Sequence, residues 1–180
     1  MSSPRVFLRR ALLLTALGAG AAMPASAQTA TAVDLQAAFL INFARFTEWP
    51  ASQNGTALRL CVVGDERLAK AATTASRGQR ADGRPLEVRS VAPGAAVDTC
   101  GLLFIGRTVK GDTARMLTRA RALPILTVSD AEGFAAASGI IQLIVDEGHM
   151  RFAVNAGMAR DSGLRLSSRL LGLAKVIYGG

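Results

Sequence analysis

Between Pro124 and Ser129 lies an apolar run of four positions, in which Ile125, Leu126 and Val128 are interrupted only by Thr127. It is too short for a helix and too apolar for a strand with one wet face, so it reads as a parallel strand covered by helices on both sides. Pro124 suits the strand's opening, where its missing N–H costs no ladder bond, and Ser129-Asp130 closes it. Two further runs, Leu58 to Gly64 and Cys100 to Gly106, have the same character, and a helical pattern follows each. Short buried strands alternating with helices restrict the chain to an α/β architecture. In such sheets ligands and partners are met at the carboxyl ends of the strands.

In chain order, Val33 to Trp49 reads as a helix, with Leu35, Phe39, Phe43 and Phe46 at spacings of three and four, and Pro50 as its stop. Leu58 to Gly64 is the first strand, and Asp65-Glu66 opens a helix through Leu68, Ala71 and Ala72. After the turn cluster Arg80 to Pro85, Leu86 to Val91 alternates as a half-exposed edge strand should. Cys100 to Gly106 then leads into a helix with Ala114, Met116, Leu117, Ala120 and Leu123, and Phe134 to Ala137 is one helical turn. Ile140 to Val145 and Met150 to Val154 flank a hairpin turn containing Gly148. Met158 to Tyr178, carrying Leu166, Leu170, Leu171, Ala174 and Ile177, predicts a final amphipathic helix. The expected fold is a three-layer α/β sandwich: a mostly parallel sheet with a C-terminal antiparallel hairpin and helices on both faces. Right-handed crossovers predict the strand order 2-1-3-4 plus the hairpin, with the switch point between the Leu58 and Leu102 strands.

The N-terminus carries an export signal: Arg5, Arg9 and Arg10 precede the apolar run Ala11 to Ala22, and Ala25-Ser26-Ala27 offers a cleavage site. Residues 1–27 are therefore expected to be a signal peptide and residues 28–180 a single domain beginning at Gln28. A membrane anchor is the alternative, but the run is well short of the roughly 20 residues a spanning helix needs. Arg9-Arg10 leaves the Sec and twin-arginine routes both open. Loss of the three leader arginines, with no acid removed, lowers the formal net charge from +8 to +5. The remaining cations are scattered and lack interleaved aromatic residues, which argues against nucleic acid as a partner.

Few residues carry chemistry. Cys61 and Cys100 are the only cysteines; in an exported protein on neighbouring strands they read as a disulfide, the alternative being two buried thiols. A bond directly across adjacent parallel strands is geometrically awkward, which weighs on the other side. Gly64-Asp65 lacks the glycines of a dinucleotide loop, and no phosphate-loop Lys follows. Ser129, Asp130 and His149 lack a nucleophile elbow. One His and a paired Cys set leave no metal site, and of the clustered acids and late Lys that a phosphoacceptor domain wants, the Lys after the last strand is missing. No catalytic residue, cofactor or metal is expected. Asp65, Arg107, Thr108, Ser129 and Asp130, with Gly64 and Gly106, are left as a candidate small-ligand pocket over the strand ends. Three phenylalanines and the only tryptophan crowd the first helix. This stripe either packs on the sheet or leaves Leu40, Ile41 and Trp49 for a partner.

Taken together, Ala37 to Pro50, Leu60 to Gly64, Gly83 to Arg89, Cys100 to Ile105, Leu126 to Phe134, Arg151 to Asn155 and Ala159 to Leu171 resemble the periplasmic YfiR-type proteins. The segments occur in order and span most of the chain after the leader. The resemblance implies a soluble periplasmic regulator that represses an inner-membrane diguanylate cyclase, and hence cyclic-di-GMP signalling, by binding its periplasmic sensor domain. An outer-membrane lipoprotein or redox stress would trigger release. It also implies that Cys61 and Cys100 match the family's disulfide pair and that the protein forms homodimers. The alternative function is a small-ligand sensor or transport-accessory module built on the strand-end pocket.

Overall fold

The structure, a computed structural model, describes residues 25–51, 55–109 and 111–180, with side chains from residue 32 onward. All but the last three residues of the expected leader lie outside the described residues. The chain opens with helix α1 (Ala25–Arg45) and the short strand β1 (Thr47–Glu48). Strand β2 (Leu58–Val63), helix α2 (Glu66–Ala75), strands β3 (Arg80–Ala81) and β4 (Arg84–Val91), and strand β5 (Leu102–Ile105) follow. Next come α3 (Thr113–Arg121), β6 (Leu126–Ser129) and α4 (Phe134–Ala137). A hairpin of β7 (Ile141–Asp146) and β8 (His149–Asn155) leads to α5 (Ala156–Asp161), β9 (Arg165–Leu166), α6 (Ser168–Gly172) and β10 (Val176–Tyr178).

The main sheet has eight strands in the order β10-β8-β7-β6-β5-β2-β4-β3. From β4 to β7 every pairing is parallel; β7 and β8 are antiparallel, and β10 lies parallel to β8. This is the expected order for β4, β2, β5, β6 and the hairpin, with the reversal of strand order between β2 and β5 where the sequence places the switch point. Leu58, Leu60, Val62, Leu102, Phe104, Leu126 and Val128 alternate onto one face, under α1 and α2. Cys61, Val63, Leu103 and Ile105 face α3 and α4 on the other. The three layers thus follow from the period-2 alternation of strands buried on both sides. The hairpin closes through Glu147 and Gly148, both at positive φ, between the paired Asp146 and His149, as a two-residue loop between twisted strands requires.

Two expectations are corrected. The segment Met158 to Tyr178 is not one helix: Gly163, at φ 72°, ends α5, Ser167 caps α6 by accepting the Leu170 N–H at 3.2 Å, and the last residues join the sheet as β10. Four of its leucines still reach the core, with Leu164 and Leu170 almost fully buried and Leu166 and Leu171 packed against that core. Helical spacing here recorded which side chains face inward, not a continuous helix. The first helix also ends at Arg45 rather than Trp49, because Thr47 and Glu48 find strand partners in Leu166 and Arg165 of β9. Its buried side is centred on Ala37, Leu40, Ile41, Phe43 and Ala44. Of the expected stripe, Phe43 is buried within that side, Phe39 and Phe46 are half-buried against the core, and Leu35 is exposed.

Cys61 and Cys100 form a disulfide with Cα atoms 5.9 Å apart. The difficulty with a bond across parallel neighbours disappears because Cys100 precedes β5. The residue opposite Cys61 in the ladder is Leu103, while Cys100 sits in a turn and donates its N–H to the Val97 carbonyl at 2.9 Å. The same connection is tied down by Arg119, which donates to both oxygens of Asp98 at 2.6 and 2.5 Å. These hydrogen bonds, reinforced by the cation's charge, hold the Asp98 carboxyl below its ordinary range.

Candidate functional site: the strand-end cleft and the exposed sheet edge

The carboxyl ends of β2, β5 and β6 converge below the N-terminal part of α1, around an open cleft of about 970 Å³. Gly64 and Gly106 form its base, and Asp65, Arg107, Thr108 and Asp130 line it. Gly64 is required on two counts. It lies at φ +80°, and a Cβ there would stand 2.3 Å from the Val109 Cγ2. Asp65 turns back to cap α2, its Oδ1 accepting the Leu68 N–H at 2.9 Å. Asp130 accepts the Arg107 N–H at 2.8 Å and faces the same residue's Nε at 3.0 Å. That pair fixes the arginine's stem while its side chain remains 72 % exposed at the rim.

The opposite wall is apolar, with Val33 from α1, Leu143 and Val145 from β7, and Met150 from β8. A charged rim facing an apolar wall suits a small molecule with a polar head and an apolar body, and the volume lies within the usual range for such sites. Ser129 does not belong to this cleft. It is buried, donates its hydroxyl to the Ile105 carbonyl at 2.6 Å and accepts the Ala131 N–H at 3.0 Å. Its role is to close the end of β6, which a strand-terminal Ser in a sequence does not distinguish from a ligand group.

The residues assigned to a partner surface are in the core. Leu40 is 0 %, Ile41 5 % and Trp49 7 % exposed. Trp49 donates its Nε1–H to the Gly101 carbonyl at 3.2 Å, and Arg84 lies over its ring at 5.7 Å. Phe39, Phe43 and Phe152 pack edge to face with centroids 5.1 to 6.1 Å apart. The phenylalanines of α1 thus seat the helix on the sheet, and Leu40, Ile41 and Trp49 are part of the core rather than an exposed face.

Exposed apolar side chains gather elsewhere. Leu173, Val176, Ile177 and Tyr178, 37 to 65 % exposed, lie at or beside the edge strand β10. Sequence reasoning missed this edge because the same residues complete a helical pattern. The discriminating signal was the β-branched and aromatic triplet Val176-Ile177-Tyr178 beside glycines.

Among the described residues no helix is long and apolar enough to cross a membrane. No curated protein matches the chain. A family model described as YfiR/HmsC-like matches residues 33–175, from the cleft-lining turn of α1 to the threshold of β10, and takes in the sheet, the disulfide and the strand-end cleft together. By that match over most of its length, the chain belongs to the YfiR/HmsC-like family.

Proposed function

We propose that this protein is a periplasmic regulator that represses a membrane-bound diguanylate cyclase by binding the cyclase's periplasmic sensor domain. The observation that carries the reading is the family match over residues 33–175. The polar side chains at the strand ends agree with a binding role: Asp65 caps a helix and Asp130 holds Arg107 at the cleft, while Ser129 is closed within the fold outside it. None is paired with a base or nucleophile as bond-making chemistry requires. Both cysteines are consumed in one buried disulfide, so release by thiol exchange would have to act on the bridge that holds β2 to the loop before β5. In a strain lacking the gene, cellular cyclic-di-GMP should rise and should return to its original level when the exported protein is restored. An unchanged level would count against the reading.

The cleft favours a second reading, in which a small molecule with an anionic head and an apolar body tunes the regulator. Arg107 is the group that would receive the head, since Asp130 occupies its Nε and leaves its terminal nitrogens at the rim. Such a ligand at a hundred times its Kd should stabilise the fold by about 2.7 kcal/mol. Arg107→Ala should abolish most of that gain while leaving the unliganded fold intact. Ser129→Ala should cost about 1–3 kcal/mol of stability, by leaving buried backbone groups unsatisfied, and leave the ligand-induced gain unchanged. Thermal unfolding of the three proteins across a panel of amphipathic carboxylates and phosphates measures both effects. Equal responses in the wild type and Arg107→Ala would remove Arg107 from the site.

A further inference from the structure

Helices α1 and α2 pack side by side and run in the same direction. Ala32, Val33 and Gln36 of α1 and Glu66 and Arg67 of α2 line the strand-end cleft, so both helices begin there. Both finish at the far end of the sheet beside β3, whose Ala81 is buried in the core beneath them. Arg45, Arg77, Arg80 and Arg169, all exposed, collect at that end. Arg45 closes α1, Arg77 follows α2, and Arg80 lies in β3. Arg169 of α6 places its guanidinium 5.8 Å from the centre of the Phe46 ring, next to Arg45. Cations that are scattered along the sequence are gathered here by the fold.

Among the described residues, none of the four has a carboxylate within ion-pair distance. Glu48 and Asp82, which lie at the same end, are already held by Arg165 and Arg84 at 2.9 Å. On the α3 side of the sheet, by contrast, Arg89, Arg107, Arg115 and Arg119 each face a carboxylate. Helix dipoles account for part of the arrangement, because Arg45 and Arg77 stand at or just past helix C-termini, where a cation is favoured. They do not account for Arg80, which lies in a strand, or for Arg169, one residue into α6.

We infer that this end docks on a membrane surface bearing anionic phospholipid, with the strand-end cleft turned away from the lipid. Planar guanidinium groups pair with phosphate oxygens in a fork, and mobile headgroups can bring a phosphate to each of several separated arginines. The exposed residues beside the cations, Asn42, Thr73, Thr74 and Gly78, are polar or small, so the face lacks the apolar centre on which a protein interface is built. Docking of this kind is reversible and needs no inserted segment. It holds the protein in the plane where a membrane-bound partner sits and leaves the cleft open to a ligand.

The docking requires no partner protein, so it stands or falls separately from the regulatory reading. Co-sedimentation of the exported chain with vesicles tests it. Binding to phosphatidylglycerol and phosphatidylcholine in equal parts should exceed binding to phosphatidylcholine alone. It should disappear in about 1 M salt, where charges are screened beyond about 3 Å. Arg45→Gln, Arg77→Gln, Arg80→Gln and Arg169→Gln should each weaken binding about fivefold, the effect of one cation at an anionic surface. Arg89→Gln combined with Arg115→Gln removes the same net charge as Arg45→Gln combined with Arg77→Gln, but on the other side of the sheet, and should leave binding nearly unchanged. Thermal unfolding checks that each variant is folded. Equal binding to the two kinds of vesicle would overturn the inference, as would equal losses in the two double variants. A variant lacking all four arginines that binds vesicles like the wild type but no longer captures a cyclase's periplasmic domain would assign the face to an acidic protein surface, and membrane docking would be wrong.

Discussion

Trp49→Ala should lower the free energy of unfolding by about 3–5 kcal/mol, the range seen when a buried aromatic side chain is truncated. The ring is 7 % exposed and stands where the end of α1, the start of β5 and Arg84 of β4 meet. Removing it opens a cavity among three elements that cannot all move inward. The hydrogen bond contributes less, because the Gly101 carbonyl also accepts the Leu126 N–H at 2.8 Å and stays satisfied without the indole. Trp49→Phe should consequently cost only about 0.5–1.5 kcal/mol in lost hydrogen bonding, with some added packing loss. Denaturant unfolding of the two variants measures the difference. A Trp49→Ala protein as stable as the wild type but unable to bind its partner would put the ring at an interface after all.

The double variant Cys61→Ala, Cys100→Ala should lose about 4 kcal/mol, the chain-entropy value for a closed loop of about 40 residues. At about 2–4 °C per kcal/mol for a domain of this size, the melting temperature should fall by about 8–16 °C. The loop that the bridge closes contains β3, β4 and all of α2, so the unfolded chain is restrained over much of one sheet edge. Reduction of the wild type should bring its unfolding curve to that of the double variant. Two freely alkylated thiols in the native protein, or an unchanged melting temperature in the double variant, would contradict the assignment.

The strand order and the three layers could be read from the sequence because their signals are local and redundant. Short apolar runs at Leu58, Leu102 and Leu126 alternate with helical patterns, and handedness leaves little choice of topology. The disulfide was also legible, although its geometry was not: only the structure shows Cys100 in the turn before β5, offset from the ladder position opposite Cys61. The failures share a physical cause. Burial periodicity reports which side chains face inward, and several backbone paths satisfy it. Leu166, Leu170 and Ile177 keep a helical spacing although they lie in a strand, a helix and another strand. In α1 the phenylalanine stripe does pack on the core, with Phe43 fully buried, but Leu40 and Ile41, which the sequence left for a partner, turn inward beside it. Within the candidate cleft, Asp65, Arg107, Thr108 and Asp130 are brought together as their strand-end positions suggested. Ser129 shares that position but not that exposure, and a sequence carries no mark of which way a single hydroxyl turns.

Binding to the periplasmic domain of a membrane-bound diguanylate cyclase, the action proposed for this protein, can be measured by calorimetric titration of the purified chain into the isolated periplasmic domains of its host's membrane-anchored diguanylate cyclases. Saturable binding to one of them, retained by Arg107→Ala, is the result expected of a protein-binding regulator. An absence of binding to every domain, with the titrated chain shown to be folded and disulfide-bonded, would contradict it.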